Sequence, residues 1–223
     1  MEQQGELIAN DNNKVRFFKL KHNMELLGVA DSERDLTLPS PLRRRGDGSA
    51  PPPQSRGLRG GLVHDGSNWQ FTLRMEHGVK LCREYTNYFD KILLDAPCSA
   101  EARFIEGERE TYGYWSERKI KEMAYKQRQL ILSAWNSLKP GGTLVYSTCT
   151  FAPEENEMQV NRLIERYKDQ VEVVNVSISG LKHLPVLAAW GNKQFHPEVK
   201  KCLRIMPTKE IEGFFVGKIQ KLL

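Results

Sequence analysis

The chain has 223 residues, enough for one good-sized core, so one domain is the default. Its 33 Lys and Arg exceed its 28 Asp and Glu by five, which suits a polyanionic partner without requiring one. No apolar run is long enough to span a membrane and Met1-Glu2-Gln3-Gln4 is no signal peptide, so a soluble, cytoplasmic protein is expected.

In chain order, Gly5 to Asp11 reads as a short strand closed by an acid. Val15, Phe17, Phe18, Leu20, Met24, Leu26 and Leu27 then recur at roughly helical spacing up to Gly28, a residue suited to the C′ position. From about Asp31 to Ser67 the texture changes: six arginines and no lysine, five prolines and six glycines, with no helical or strand period. Such a stretch predicts a disordered insertion. A competing reading has Arg43-Arg44-Arg45 gripping phosphates. The expected organisation is therefore 1–30 as the start of a domain, 31–67 as an insertion, and 68–223 as the remainder of that domain.

After the insertion, Trp69 to Leu73 reads as a strand and Asp90 to Asp95 as a buried one. Ile120 to Leu138 predicts an amphipathic helix stopped by Pro140-Gly141-Gly142, with a strand from Gly142 to Ser147. Pro153-Glu154-Glu155-Asn156-Glu157 predicts a helix start, its acids facing the positive end of the dipole. Val171 to Val176 and Gly213 to Ile219 complete the strands. Alternation of this kind implies an α/β fold with an open, largely parallel sheet.

Of four cysteines, Cys82, Cys98, Cys149 and Cys202, no two form a C-x-x-C pair, so neither a metal site nor a disulfide framework is expected. Cys82 and Cys202 read as small buried hydrophobes. Cys98 and Cys149 differ, because each follows an apolar strand, in Asp95-Ala96-Pro97-Cys98-Ser99 and Ser147-Thr148-Cys149-Thr150. Neighbouring strand ends are where α/β sheets bind ligands.

At these residues the chain resembles the Sun/Nop family of RNA cytosine-5 methyltransferases. Phe89 to Ser99 is similar to that family's fourth motif. Leu138-Lys139-Pro140-Gly141-Gly142, Leu144 to Phe151 and Pro153 to Glu157 are similar to its sixth, and Gly213-Phe214-Phe215-Val216 to its last strand. The resemblance implies a Rossmann-like sheet with an antiparallel last strand, S-adenosylmethionine as cofactor, and rRNA or tRNA as partner. It implies Cys149 as nucleophile toward C6 of cytosine and Cys98 as the group assisting product release. Asp95 would lie near ring and cofactor, and Asp11 would face the cofactor ribose.

Several positions depart from that pattern. The family's first strand and glycine-rich cofactor loop are expected before residue 1, so the chain reads as N-terminally truncated, with a separate polypeptide as one source of the missing part. His77 stands where the family has an aspartate, and Ala100-Glu101-Ala102-Arg103 replaces a glycine-rich turn. Arg103 is expected to meet phosphate or to pair with Glu101 or Glu106. Tyr112, Tyr114 and Trp115 are read as packing rather than site residues. Alongside the enzyme reading stands a non-catalytic RNA-binding remnant, or a pseudogene product, of such an enzyme.

Overall fold

In the computed structural model, which describes residues 5–29, 58–60 and 69–223, the chain divides after Glu84 into two units. The first holds strand β1 (Gly5–Asn10), helix α1 (Lys14–Leu26), strands β2 (Leu58–Gly60) and β3 (Trp69–Arg74), and the short helix α2 (Gly78–Arg83). β3 is the middle strand, parallel to β1 and antiparallel to β2. Leu58–Gly60 is thus a strand inside the stretch in which no strand period is legible; the rest of 31–67 lies outside the described residues.

Helix α1 begins where the Asn13 side chain accepts from the Arg16 amide at 3.1 Å, an ordinary N-cap. It ends at Gly28, whose φ of +67° lets its N–H reach the Glu25 carbonyl while the Val29 N–H reaches Met24. That pair of bonds is the Schellman arrangement, so Gly28 is the C′ residue expected. Phe17, Leu20 and Met24, one helical stripe, pack with Trp69, Phe71 and Leu73 of β3. Val15, Phe18, Leu26 and Leu27 face outward, so the helical period holds and only one stripe of it is buried.

The second unit contains β4 (Phe89–Asp95), α3 (Arg109–Tyr112), α4 (Glu117–Ser137), β5 (Leu138–Thr148), α5 (Glu157–Tyr167), β6 (Val171–Val174), β7 (His183–Leu184), β8 (Ala189–Trp190), β9 (Lys193–Gln194), β10 (Leu203–Ile205) and β11 (Phe214–Lys221). Its main sheet runs β4-β5-β11-β10-β7, with β6 also on β11, and β8 and β9 form a separate ribbon. β4 and β5 are parallel and joined through α4, whereas β11 is antiparallel to its neighbours. The α/β expectation and the antiparallel last strand both hold. The full burial expected of β4 does not. Leu93 is 74% exposed, and β4 has a ladder partner on one edge only among the described residues.

Trp135, Leu138, Leu144, Tyr146, Leu163, Phe215 and Ile219 form the buried centre of this unit. β5 starts at Leu138 rather than Gly142, so Pro140-Gly141-Gly142 lies within the strand, near a register shift between Phe89 and Lys91 of β4. Gly142 has the Leu138 side chain 2.8 Å from where a Cβ would sit, which keeps that position small. The carboxyl end of α4 is held from β11: the Lys221 ammonium donates to the Trp135 and Leu138 carbonyls at 3.1 and 2.8 Å. On the other side, Arg204 of β10 donates twice to the fully buried Glu157 carboxylate, both at 2.6 Å, and once to the Phe151 carbonyl at 3.0 Å.

Arg204→Ala should therefore destabilise the chain by about 3–5 kcal/mol, because it strands a buried carboxylate. Urea unfolding followed by tryptophan fluorescence checks this, and a loss below about 1 kcal/mol would contradict it.

Candidate active site

The parallel ladder between β4 and β5 determines what meets at their carboxyl ends. Asp95 lies opposite Ser147, and the Ala96 N–H donates to the Ser147 carbonyl at 2.9 Å, extending the pairing past the strand. The chain leaving β4 carries Cys98, and the chain leaving β5 carries Cys149. Their sulfurs are 3.2 Å apart, within hydrogen-bond reach, and both residues are partly exposed. Asp95 belongs to the same end of the ladder, with Ser147 Oγ donating to its carboxylate at 3.5 Å.

The turn after Cys98 is tight. Ala100 adopts φ +59°, and the Ala102 N–H donates back to the Cys149 carbonyl at 3.2 Å. Glu101 then serves as an anchor: Trp115 Nε1 donates to one of its oxygens at 2.8 Å, and Thr150 Oγ1 and the Phe151 N–H donate to the other at 3.0 and 3.1 Å. Trp115 is thereby tied to the loop that follows Cys149, although its ring stays partly exposed. Arg103 pairs with Glu212 at 2.9 Å, and not with Glu101 or Glu106 as the sequence leads one to expect.

The two thiols are electrostatically unequal. The hydrogen bond from Cys98, and then the Arg103 guanidinium, hold Cys149 below the usual thiol range, against the opposing pull of burial, Glu212 and Asp95. The same hydrogen bond and burial push Cys98 far up. A thiolate is the nucleophilic form of cysteine, and these directions favour it on Cys149 over Cys98. Cys202 is buried and pushed up by desolvation, as befits an inert core residue, while Cys82 is half-buried.

Set against known sequences, the family described as 16S rRNA methyltransferase RsmB/F matches residues 71–220. The chain belongs to the RsmB/F methyltransferase family. A tRNA (cytosine(49)-C(5))-methyltransferase of Pyrococcus abyssi is 39% identical over 141 residues, which is 61% of this chain and 43% of that one. Ribosomal RNA small subunit methyltransferase F of Klebsiella pneumoniae is 39% identical over 133 residues, 60% of this chain and 26% of the relative. The chain thus spans less than half the length of these relatives. Among solved structures, a methyltransferase homologue from Pyrococcus horikoshii superposes with a TM-score of 0.66 at 26% identity, covering 100% of this chain and 55% of that one. NSun6 from Pyrococcus horikoshii, crystallised with SFG, gives 0.62 at 28% identity, covering 100% of this chain and 43% of its own.

In this RsmB/F-family chain the structure brings Cys98, Cys149 and Asp95 together within the second unit. Asp11 belongs to the first, at the carboxyl end of β1. There its carboxylate accepts from the Asn13 N–H at 2.8 Å and pairs with Arg16 at 3.1 Å. Nearby, the Asn10 side chain exchanges two hydrogen bonds with the Glu76 backbone, both 3.0 Å, which fastens the end of β1 to the turn after β3. His77 stands exposed at the N-cap of α2 and makes no capping bond. Among the described residues there is no cluster that could hold a metal ion, and no helix is long and apolar enough to cross a membrane.

Sequence reading misses Glu101, Gln127 and the inward acids of the Pro153–Glu157 segment. Dipole rules assign those acids to an exposed helix start; instead the helix starts only at Glu157, and Glu155, Asn156 and Glu157 point into the protein. Asn156 accepts from Thr148 Oγ1 at 2.5 Å and donates to the Thr150 carbonyl at 2.9 Å, bracketing Cys149 on both sides. The chain does carry a signal for this: four polar residues in a row, Glu154 to Glu157, where only one can cap.

Removing the hydrogen donor should weaken Cys149 as a nucleophile. In Cys98→Ala the pH midpoint of Cys149 alkylation by iodoacetamide should move up, so the rate at neutral pH falls, and Arg103→Ala should shift it the same way. Peptide mapping of the alkylated chain reads both, and a midpoint that stays put or moves down contradicts the assignment.

Proposed function

We propose that this chain catalyses, or is the catalytic part of a protein that catalyses, transfer of a methyl group from S-adenosylmethionine to C5 of a cytosine in rRNA or tRNA. The observation that carries the reading is the 3.2 Å approach of Cys98 and Cys149 beside Asp95, at the ends of two parallel strands. C5 of cytosine is a weak carbon nucleophile until a thiolate adds to C6. That chemistry calls for one thiolate, one thiol and an acid near the ring.

Cys149, the depressed thiol, forms the bond to C6, and the ring becomes enamine-like at C5. Asp95, near the ring edge, pairs with N3 as that nitrogen takes up a proton to offset the negative charge that the adding thiolate pushes into the ring. S-adenosylmethionine, when bound, supplies an electrophilic methyl to C5. The C5 proton passes to water, the electron pair of that C–H bond re-forms the C5–C6 double bond, and the C6–S bond breaks with its electrons returning to the Cys149 sulfur. Cys98, held as a thiol, donates to that leaving sulfur and so assists release. Asp11 fits the cofactor's sugar: both carboxylate oxygens are oriented by local bonds, and each keeps a lone pair for a ribose hydroxyl.

RNA containing 5-azacytosine, supplied with S-adenosylmethionine, tests the scheme, because the modified ring blocks the elimination step and traps the adduct. The adduct should survive Cys98→Ala and vanish in Cys149→Ala. An adduct that depends on Cys98 alone overturns the roles. No adduct, no calorimetric binding of S-adenosylmethionine, and salt-sensitive RNA binding would instead support a non-catalytic RNA-binding remnant.

A further inference from the structure

Two sulfurs carried on separate loops stay 3.2 Å apart only if the backbone around each is held. We propose that Glu155, acting with Gln127, is the positioning residue that ties the Cys98 loop to the Cys149 loop and sets their sulfur–sulfur distance. This inference rests on the reading of the two cysteines as a working pair.

Glu155 is 0% exposed, as is Gln127 of α4. One carboxyl oxygen of Glu155, Oε2, accepts from the Ser99 N–H at 3.0 Å and from Gln127 Nε2 at 2.7 Å. The same Gln127 nitrogen donates to the Pro97 carbonyl at 2.8 Å. The backbone groups immediately before and after Cys98 are thus held by one buried acid and its amide partner. The acid is in turn fixed to the strand that carries Cys149, since Tyr146 Oη donates to the Glu155 carbonyl at 2.6 Å. A second tie runs alongside, with Ser99 Oγ and Thr150 Oγ1 at 2.8 Å joining the residues that follow each cysteine.

The other oxygen, Oε1, is buried with no hydrogen-bond partner among the described residues. Burial pushes the carboxyl up against the opposing pull of the Ser99 and Gln127 hydrogen bonds, and Oε2 is the oxygen that accepts. That makes a specific demand on substitutions. Glutamine keeps the acceptor at Oε2, whereas alanine removes it, taking the acceptor from the Ser99 N–H and leaving Gln127 Nε2 with the Pro97 carbonyl alone.

The experiment reads sulfur proximity directly and needs neither RNA nor cofactor, so its failure and a failure of methylation are separate results. The full chain is treated with diamide, which takes up two hydrogens as two thiols join, and the Cys98–Cys149 disulfide is followed by peptide mapping. Protection of buried Cys202 from alkylation reports folding in the same sample. Glu155→Ala should slow disulfide formation by about tenfold or more with Cys202 still protected, since small displacements of reacting atoms cost large rate factors. Glu155→Gln should restore the rate to within about twofold, because the acceptor geometry is kept. A wild-type rate in folded Glu155→Ala overturns the proposal, and so does a Glu155→Gln rate as slow as alanine's. If Glu155→Ala exposes Cys202, Gln127→Met decides: slowing in a folded chain supports the tie, and an unchanged rate sinks it.

Discussion

The second unit is organised by the register of a single parallel ladder. Placing Asp95 opposite Ser147 means that the two strands end together, and everything that meets at the site follows from that coincidence. A shift by one residue would turn the alternating side chains to the opposite face and send the following loops apart. Parallel pairing requires a crossover, and α4 supplies it while also delivering Gln127 beneath the loop it spans. One helix therefore closes the topology and furnishes a structural donor.

A second constraint is polar rather than apolar. Between Thr148 and Asn161 the chain buries Thr148, Thr150, Glu155, Asn156, Glu157, Gln159 and Asn161. Burying so many polar groups is tolerable only where partners are waiting. Most have them: Glu157 meets Arg204, Asn156 brackets Cys149, and Gln159 donates to the Ala124 and Glu154 carbonyls at 3.1 and 2.7 Å. These bonds hold irregular backbone in a single shape, which an apolar core alone does not do, and it is this backbone that presents the thiolate.

Much of this is legible in the order of the amino acids. Periodicity locates α1, α4 and the strands β1, β3, β4, β5, β6 and β11 to within a few residues, and Gly28 announces its own helix end. The paired cysteine stretches point to neighbouring strand ends, and the sulfurs do meet. What stays hidden is the choice of partner. Arg103 has nearer acids in sequence, yet the ion pair forms with Glu212, far along the chain, because β11 docks against β5 and brings its leading segment past that loop. Likewise Pro153-Glu154-Glu155-Asn156-Glu157 looks like a helix start under dipole rules, which describe exposed first turns. Burial reverses the direction of two of its acids. Leu93 shows the converse, since an apolar run does not reveal whether both faces of its strand are covered.

The place of β11 has a consequence for the order of assembly. β5 pairs with one of its edges, while β6 and β10 both pair with the other, so these three have no common neighbour until β11 arrives. During ribosomal synthesis β11, the keystone of the sheet, emerges after every other described strand, and the helix carrying Gln127 waits equally long for the Lys221 ammonium that closes its carboxyl end. Pairings so distant in sequence are slow to form. A ribosome paused before residue 214 would hold a chain whose strands are made but whose sheet cannot yet close.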